Sequence, residues 1–304
     1  MTGFPIALLP KLRCSLDGGS LTLAVSAVLG ADGTQVMHGS LDCATCPARP
    51  TIADGILDLL VGTRRDAESG HEQRLRDEEY THHRSAADDG PWLDHDLMEI
   101  LPTLEALGPA TGKVVLELGC GDGRYTLELA RGNAVLAVDF SIVGLRHLRE
   151  RLEPTARVGL VLGDVTHLRF EPLSFDAVIC TLMSNLPSPA HRQAVYQGAR
   201  EAIRKDGRFV FSAHHHGLRQ ILSGEEKEGR YNAGGIYRFH MSVEECEREV
   251  APYFRQVRVR PIQVFLPLGR TLGLPVAPIS RFVERVPVVN RLGNLLLCVA
   301  WDPR

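Results

Sequence analysis

At 304 residues, with 23% charged and 44% hydrophobic residues and a mean hydropathy of -0.05, the chain has the composition of a globular protein with room for one large α/β unit and a smaller appendage, which excludes extensive disorder. A formal charge of -3 and a pI near 6.5 supply no general attraction for nucleic acid, and no stretch approaches the roughly 20 apolar residues of a transmembrane helix. The start, MTGFPIALLPKLRC, lacks the basic leader and cleavage pattern of a secretory signal, and the seven cysteines do not fall at disulfide-framework spacings, so a reducing, cytoplasmic setting is expected.

In chain order, residues 1–62 form a first unit carrying Cys14, Cys43 and Cys46. Residues 63–106 follow as a linker and lid region. Its first part is dominated by Arg, Asp, Glu and His, as a linker, a solvated helix or a lid would be, and in its second part Leu93, Leu97, Ile100, Leu104 and Leu107 recur near helical spacing. From 107 to 304 the signals alternate: VVLELG, a helix after Gly123, AVLAVDF, a helix through Leu145 and Leu148, GLVLGDV, FDAVICTL, a helix from about Pro189 to Arg204, and RFVFSA. Apolar strands separated by amphipathic helices predict a mostly parallel sheet covered on both faces, with QVRVRPIQV and NLLLCVAW as a final antiparallel pair, seven strands in all.

The segment VVLELGCGDGRY places Gly119, Gly121 and Gly123 between a strand and a helix, where the backbone can turn tightly and approach a ligand without Cβ clashes. A dinucleotide fingerprint needs glycine or alanine at the position of Arg124, which argues against NAD. The pattern Glu117-x-Gly119-x-Gly121-x-Gly123 resembles the first motif of the class I, Rossmann-like S-adenosylmethionine (SAM)-dependent methyltransferases, and the resemblance extends over roughly Leu107 to Ala213. It implies SAM as cofactor, with Glu117 ordering the ammonium group, Asp139 accepting from the ribose hydroxyls and Phe140 flanking the adenine. Asp164 then accepts from the adenine amino group beside the Val165 amide, and Thr181 and Leu182 lead into the loop facing the sulfonium. Any one of these positions could be a helix cap or a turn; their succession at strand ends carries the reading.

Cys43-x-x-Cys46, with Cys14 and Asp17 ahead of it, resembles the zinc-ribbon-like module fused before some methyltransferases, with Asp17 in place of a missing ligand and His38 as a nearby alternative. Three thiols and a carboxylate satisfy tetrahedral zinc, which with four protein ligands would be structural; a decayed ribbon is the alternative.

For a hydroxyl acceptor a general base is required. His214, His215 and His216 follow a predicted strand at the sheet's carboxyl edge, and Tyr80, His82 and His83 could close the site from the preceding helix; solvated histidines and a plain exposed helix are the alternatives. An insertion near 214–245 has the length and aromatic content of a substrate-covering loop. The segment PLGRTLGLPVAPISRFVERVPVVNRLG could form a lid, a homodimer surface or an interfacial membrane contact, packing on the main domain being the expectation. Together these predict methyl transfer to a small-molecule acceptor, at oxygen. The alternatives are an RNA-base methyltransferase, suggested by the cysteine module and opposed by the charge, and a non-catalytic SAM-binding assembly protein.

Overall fold

A computed structural model describes residues 2–60, 67–82, 94–108, 111–231, 235–265 and 275–304. The N-terminal unit contains β1 (Phe4–Pro5), β2 (Leu12–Arg13), β3 (Leu21–Leu23), β4 (Val28–Leu29), β5 (Gln35–Cys43), β6 (Thr51–Ala53) and β7 (Ile56–Asp58). Helices α1 (Ala67–His82) and α2 (Asp94–Ala106) follow. Next come β8 (Val114–Leu118), α3 (Thr126–Leu129), β9 (Ala134–Asp139), α4 (Ile142–Arg151), β10 (Val158–Leu162), β11 (Arg169–Phe170), β12 (Phe175–Cys180), α5 (Pro189–Ala202) and β13 (Ile203–His215). The remainder is α6 (Leu218–Ser223), β14 (Glu228–Tyr231), β15 (Ile236–Met241), α7 (Val243–Val250), β16 (Phe254–Ile262), α8 (Val276–Val283) and β17 (Leu295–Pro303).

The central sheet runs β10-β9-β8-β12-β13-β17-β16, parallel except for β17, which is antiparallel to both β13 and β16. The seven-stranded Rossmann-like fold with its closing antiparallel pair is therefore present. Strands β8, β9, β10 and β12 are buried on both faces, and alternate residues feed two cores. Leu116, Leu136, Val138, Val178, Phe209 and Phe211 pack in one core with Val195, Tyr196 and Ala199 of α5 and Cys246 and Val250 of α7. Val115, Val135, Ala137, Leu160, Ile179 and Val210 pack in the other with Ile100 of α2, Leu129 of α3 and Leu145 and Leu148 of α4. Local chemistry sets the helix starts: Ser141 accepts from the Gly144 amide, Ser188 from the His191 amide with Pro189 at the first turn, and Ser242 and Glu245 form a capping box.

The sheet does not stop at seven strands. β7 adds in parallel to β10, with Ile56, Leu57 and Asp58 opposite Leu160, Val161 and Leu162, and β6 and β5 continue outward from it. β2 pairs with β11, Arg13 bridges to Glu171, and a Cβ on Gly159 would stand 3.0 Å from the Phe4 ring. Residues 2–60 are thus hydrogen-bonded to and packed against the main sheet. The insertion near 214–245 forms α6 and the β14–β15 hairpin, whose Arg230 reaches Glu68 of α1 at 2.6 Å. Leu93 lies outside the described residues, as do His83 and Arg270. No helix among the described residues is long and apolar enough to cross a membrane.

Candidate functional site

A cleft opens at the carboxyl ends of β8, β9, β10 and β12, where ligands bind in open α/β sheets. The turn after β8 doubles back so that the Gly119 and Cys120 amides both donate to the Val138 carbonyl, at 2.8 and 2.9 Å. Gly119, Gly121 and Gly123 all have positive φ, +76°, +55° and +98°. At Gly123 a Cβ would also stand 2.2 Å from Leu148 Cδ1, so this glycine lets the turn pack on α4.

Glu117, the penultimate residue of β8, is buried, and its Oε2 accepts from Thr126 Oγ1 at 2.6 Å. Burial pushes its pKa up to about 8 against the opposing Thr126 hydrogen bond, with the Asp139 charge adding to the rise. Asp139 ends β9 buried, its Oδ2 accepting from the Gly121 amide at 2.7 Å and its Oδ1 from the Ser141 amide at 2.8 Å. Burial raises its pKa and those two hydrogen bonds oppose the rise. Phe140, Asp164, Val165, Thr181 and Leu182 line the same cleft, so the structure brings together all ten cofactor-side residues singled out in the sequence except Gly123, which sits behind the turn. Leu182 adopts the left-handed region at φ +55°, held by its amide donating to Ser212 Oγ at 2.9 Å. A non-glycine residue in that conformation at a cleft wall is stored strain of the kind found at ligand sites.

Helix α1 roofs the cleft. Its sequence has no apolar stripe, and polar contacts anchor it: Gln73 Nε2 donates to the Phe140 carbonyl at 2.7 Å, Ser141 Oγ to Asp77 at 2.5 Å, and Ser69 Oγ lies 3.4 Å from His191 Nε2. Tyr80 is wedged between the glycine turn and α4: a Cβ on Gly121 would stand 2.3 Å from its hydroxyl and one on Gly144 3.0 Å from its ring. Burial, and then Asp139, raises its pKa well above the ordinary phenol value. His82 is exposed at the helix end and does not line the cleft.

The three histidines at the end of β13, His214 and His215 within the strand and His216 directly after it, do not line the cleft either. His214 lies under the Met183–Asn185 turn, its Nδ1 2.8 Å from Ser184 Oγ, and burial, with Arg238 and His240 adding to it, drops its pKa to about 3. His215 holds the Gly293 carbonyl through Nδ1 at 2.7 Å, and His216 turns toward the Glu225 carbonyl at 3.4 Å. Among the cleft residues that the sequence reading missed are Glu72 and His191. Glu72 of α1 is 8% exposed; its Oε1 accepts no hydrogen bond, stands 3.6 Å from Arg76 Nε, and burial raises its pKa against the Arg76 charge and the Tyr237 amide. His191 lines the cleft from the start of α5, its Nδ1 2.5 Å from Ser188 Oγ. Neither carries a motif; only the fold of α1 over the strand ends reveals Glu72.

Away from the cleft, Cys14, Asp17, Cys43 and Cys46 offer four ligand atoms within 4.8 Å of one another. Cys14 and Cys46 sulfurs are 3.7 Å apart, Cys43 Sγ is 3.4 Å from Asp17 Oδ1, and the Gly19 amide and Thr45 hydroxyl hold the aspartate at 2.9 and 2.5 Å. Two short turns, Cys14-x-x-Asp17 and Cys43-x-x-Cys46, thus present a donor set that fits a tetrahedral divalent ion. His38 lies apart from them, 3.8 Å from Asp54.

Residues 115–207 match the family model described as a methyltransferase domain. The chain is 29% identical over 131 residues to the ubiquinone biosynthesis O-methyltransferase of Neisseria meningitidis, the match covering 39% of this chain and 51% of that one. It is 31% identical over 145 residues to the tRNA (guanine-N(7)-)-methyltransferase of Thermus thermophilus, covering 43% of this chain and 47% of the relative. The chain therefore spans about half the length of these relatives. Among solved structures, a DhpI–SAM–HEP complex shares the fold with a TM-score of 0.54 at 17% identity, over 78% of this chain and 99% of that one. The central region thus matches a methyltransferase domain and has a Rossmann-like fold.

Proposed function

We propose that this chain, built around that methyltransferase domain, transfers a methyl group from SAM to a small-molecule acceptor at oxygen. The convergence of Glu117, the glycine turn, Asp139 and Asp164 on one cleft at the carboxyl edge carries the SAM assignment. In this reading the amino-acid part of SAM lies on Gly119 and Gly121 with its ammonium toward Glu117. Asp139 accepts from the ribose, and Asp164, Val165 and Phe140 surround the adenine. The α1 roof favours a small acceptor over a base within a folded RNA, because the cleft is closed from above by a helix fastened at Phe140, Ser141 and His191.

Methyl transfer is an in-line displacement at the sulfonium carbon, so alignment of the acceptor supplies most of the catalysis and a base takes the hydroxyl proton. We assign that proton to Glu72, a buried carboxylate with an unbonded oxygen in the cleft wall and a raised pKa. His214, neutral and weakly basic, then positions Ser184 and the wall residue Met183 beside it; Tyr80 packs the cofactor end. The three thiols and Asp17 hold a structural zinc ion.

Incubating the protein with methyl-labelled SAM and separated small-molecule and RNA fractions of a cell extract tests the assignment. Label should enter the small-molecule fraction, and Glu72→Gln should lower its rate by about 10²–10⁴-fold with SAM affinity nearly intact. Label in RNA, or a Glu72→Gln protein of full activity, would overturn the respective part.

A further inference from the structure

The first of the two metal-binding turns lies against the Asp164 side of the cleft. Asp164 opens a short turn between β10 and β11: its carbonyl accepts from the His167 and Leu168 amides at 2.9 and 3.1 Å, and its Oδ1 from the Thr166 amide at 2.9 Å. Both flanks of that turn are tied to the residues around Cys14. On the β11 flank, Arg169 and Phe170 pair with Arg13 and Leu12, and the Glu171 amide donates to the Lys11 carbonyl at 2.9 Å. On the β10 flank, the Leu59 amide donates to the Leu162 carbonyl at 2.9 Å, and the Leu59 carbonyl accepts from Ser15 Oγ at 3.1 Å. Ser15 follows Cys14 directly, and Gly18, next to Asp17, packs on Arg169, whose Cδ a Cβ there would meet at 3.4 Å. Beneath them Cys14, Leu59, Leu168 and Phe170 belong to one buried core.

We propose that Cys14, Asp17, Cys43 and Cys46, closed on a metal ion, position Asp164, so that metal and SAM bind cooperatively. This rests on the SAM and zinc readings above and goes beyond an ion that only holds the N-terminal unit together. β2 and β11 form a two-stranded sheet of their own with two residues in each strand, too short to be stable alone. Closing the Cys14-x-x-Asp17 turn onto Cys43 and Cys46 fixes where β2 ends and where Ser15 stands, and so fixes both flanks of the Asp164 turn. A hydrogen bond weakens steeply as its angle departs from linear, so a small displacement of the Asp164 carboxylate is felt at the adenine amino group. Leu12, Arg13 and Ser15 are positioning residues, since none of them lines the cleft.

Titration calorimetry of the full chain with SAM, zinc-loaded and chelator-stripped, tests the proposal. Stripping should weaken SAM binding by about 5–150-fold, the usual range for linked sites. By reciprocity, saturating SAM should raise the affinity for zinc, read against a competing chelator, by the same factor. In Asp164→Ala, which has no carboxylate to position, stripping should change SAM affinity by about twofold or less. Ser15→Ala keeps all four metal ligands, and in the zinc-loaded protein it should weaken SAM about two- to tenfold, with Ser15→Thr restoring it. If the stripped protein melts below the assay temperature, that last pair decides. Equal SAM affinity with and without zinc, a stripping penalty as large in Asp164→Ala as in the wild type, or a Ser15→Ala protein that binds SAM as the wild type does overturns the positioning. A protein that takes up no zinc, or no SAM, overturns it together with the reading beneath it.

Discussion

If the Glu117 carboxylate orders the SAM ammonium, SAM affinity must depend on pH in a way the structure dictates. Glu117 is 4% exposed, and its pKa stands at about 8, so at pH 7 the free protein carries the neutral acid. An ammonium partner favours the ionised form, so binding has to expel the proton. Below pH 8 each pH unit then costs about 1.4 kcal/mol, a tenfold loss of affinity, and close to one proton is released at pH 7. Glu117→Gln keeps the acceptor for Thr126 but has no proton to lose, so the slope and the proton release vanish while binding weakens most at high pH. Titration calorimetry from pH 6 to 9, in two buffers of different ionisation heat, measures both quantities. The ligand's own titration is common to the two proteins and cancels in the comparison. The same pKa fixes the sign for stability. Raised from the ordinary 4.5, it contributes stability fully present below about 4.5 and lost as pH rises through 8, by at most roughly 5 kcal/mol. Thermal unfolding of the unliganded protein should therefore decline over that window, and less so in Glu117→Gln. Equal pH slopes of SAM affinity in the two proteins would refute the placement of the ammonium at Glu117.

Asp139→Ala removes the ribose acceptor and strands the Gly121 and Ser141 amides; with hydrogen bonds to a charged group worth about 1.5–3 kcal/mol each, SAM binding should fall by about 10²–10⁴-fold, and unchanged affinity in a folded variant would count against the assignment. Protein purified without chelator should contain close to one zinc per chain by elemental analysis, and none in a wild-type sample would favour the decayed ribbon. Cys43→Ser should lower both the zinc content and the melting temperature of the whole molecule, because β5, β6 and β7 continue directly into the central sheet.

Where a residue's place follows from its own strand, the sequence was enough to locate it in the cleft. The glycine turn, Asp139 and Asp164 each sit at the end of an apolar run whose burial on both faces is the driving force for the parallel sheet, so locating the run locates the residue. The cysteine knuckles were legible for a similar reason: Cys14-x-x-Asp17 and Cys43-x-x-Cys46 are local turns, and only their mutual approach needed the fold.

What stayed hidden depends on contacts between distant segments. β7 is a three-residue strand in a segment that reads as part of a separate module; its partner β10 begins about 100 residues later, and nothing in a local apolar pattern specifies which edge it joins. Helix α1 has almost no hydrophobic face, so periodicity gives no reason to fold it over the sheet; its fastening through Gln73, Asp77 and Ser69 uses side chains that are equally at home in water. The same helix decides where to look for the acceptor's base. The apolar run RFVFSA puts His214 just past a strand, yet β13 runs on through it, paired with β15 and β17 on both sides, and the imidazole ends up beneath a turn, stripped of basicity by burial. Glu72 comes from a stretch that looks wholly solvated and is delivered into the cleft as a carboxylate with an oxygen left unbonded. Adjacency to a strand end therefore selects residues that line the cleft, because the cleft opens along those ends. Acceptor residues come from whatever covers the cleft, and covering elements are chosen by polar tertiary contacts that leave no periodic trace.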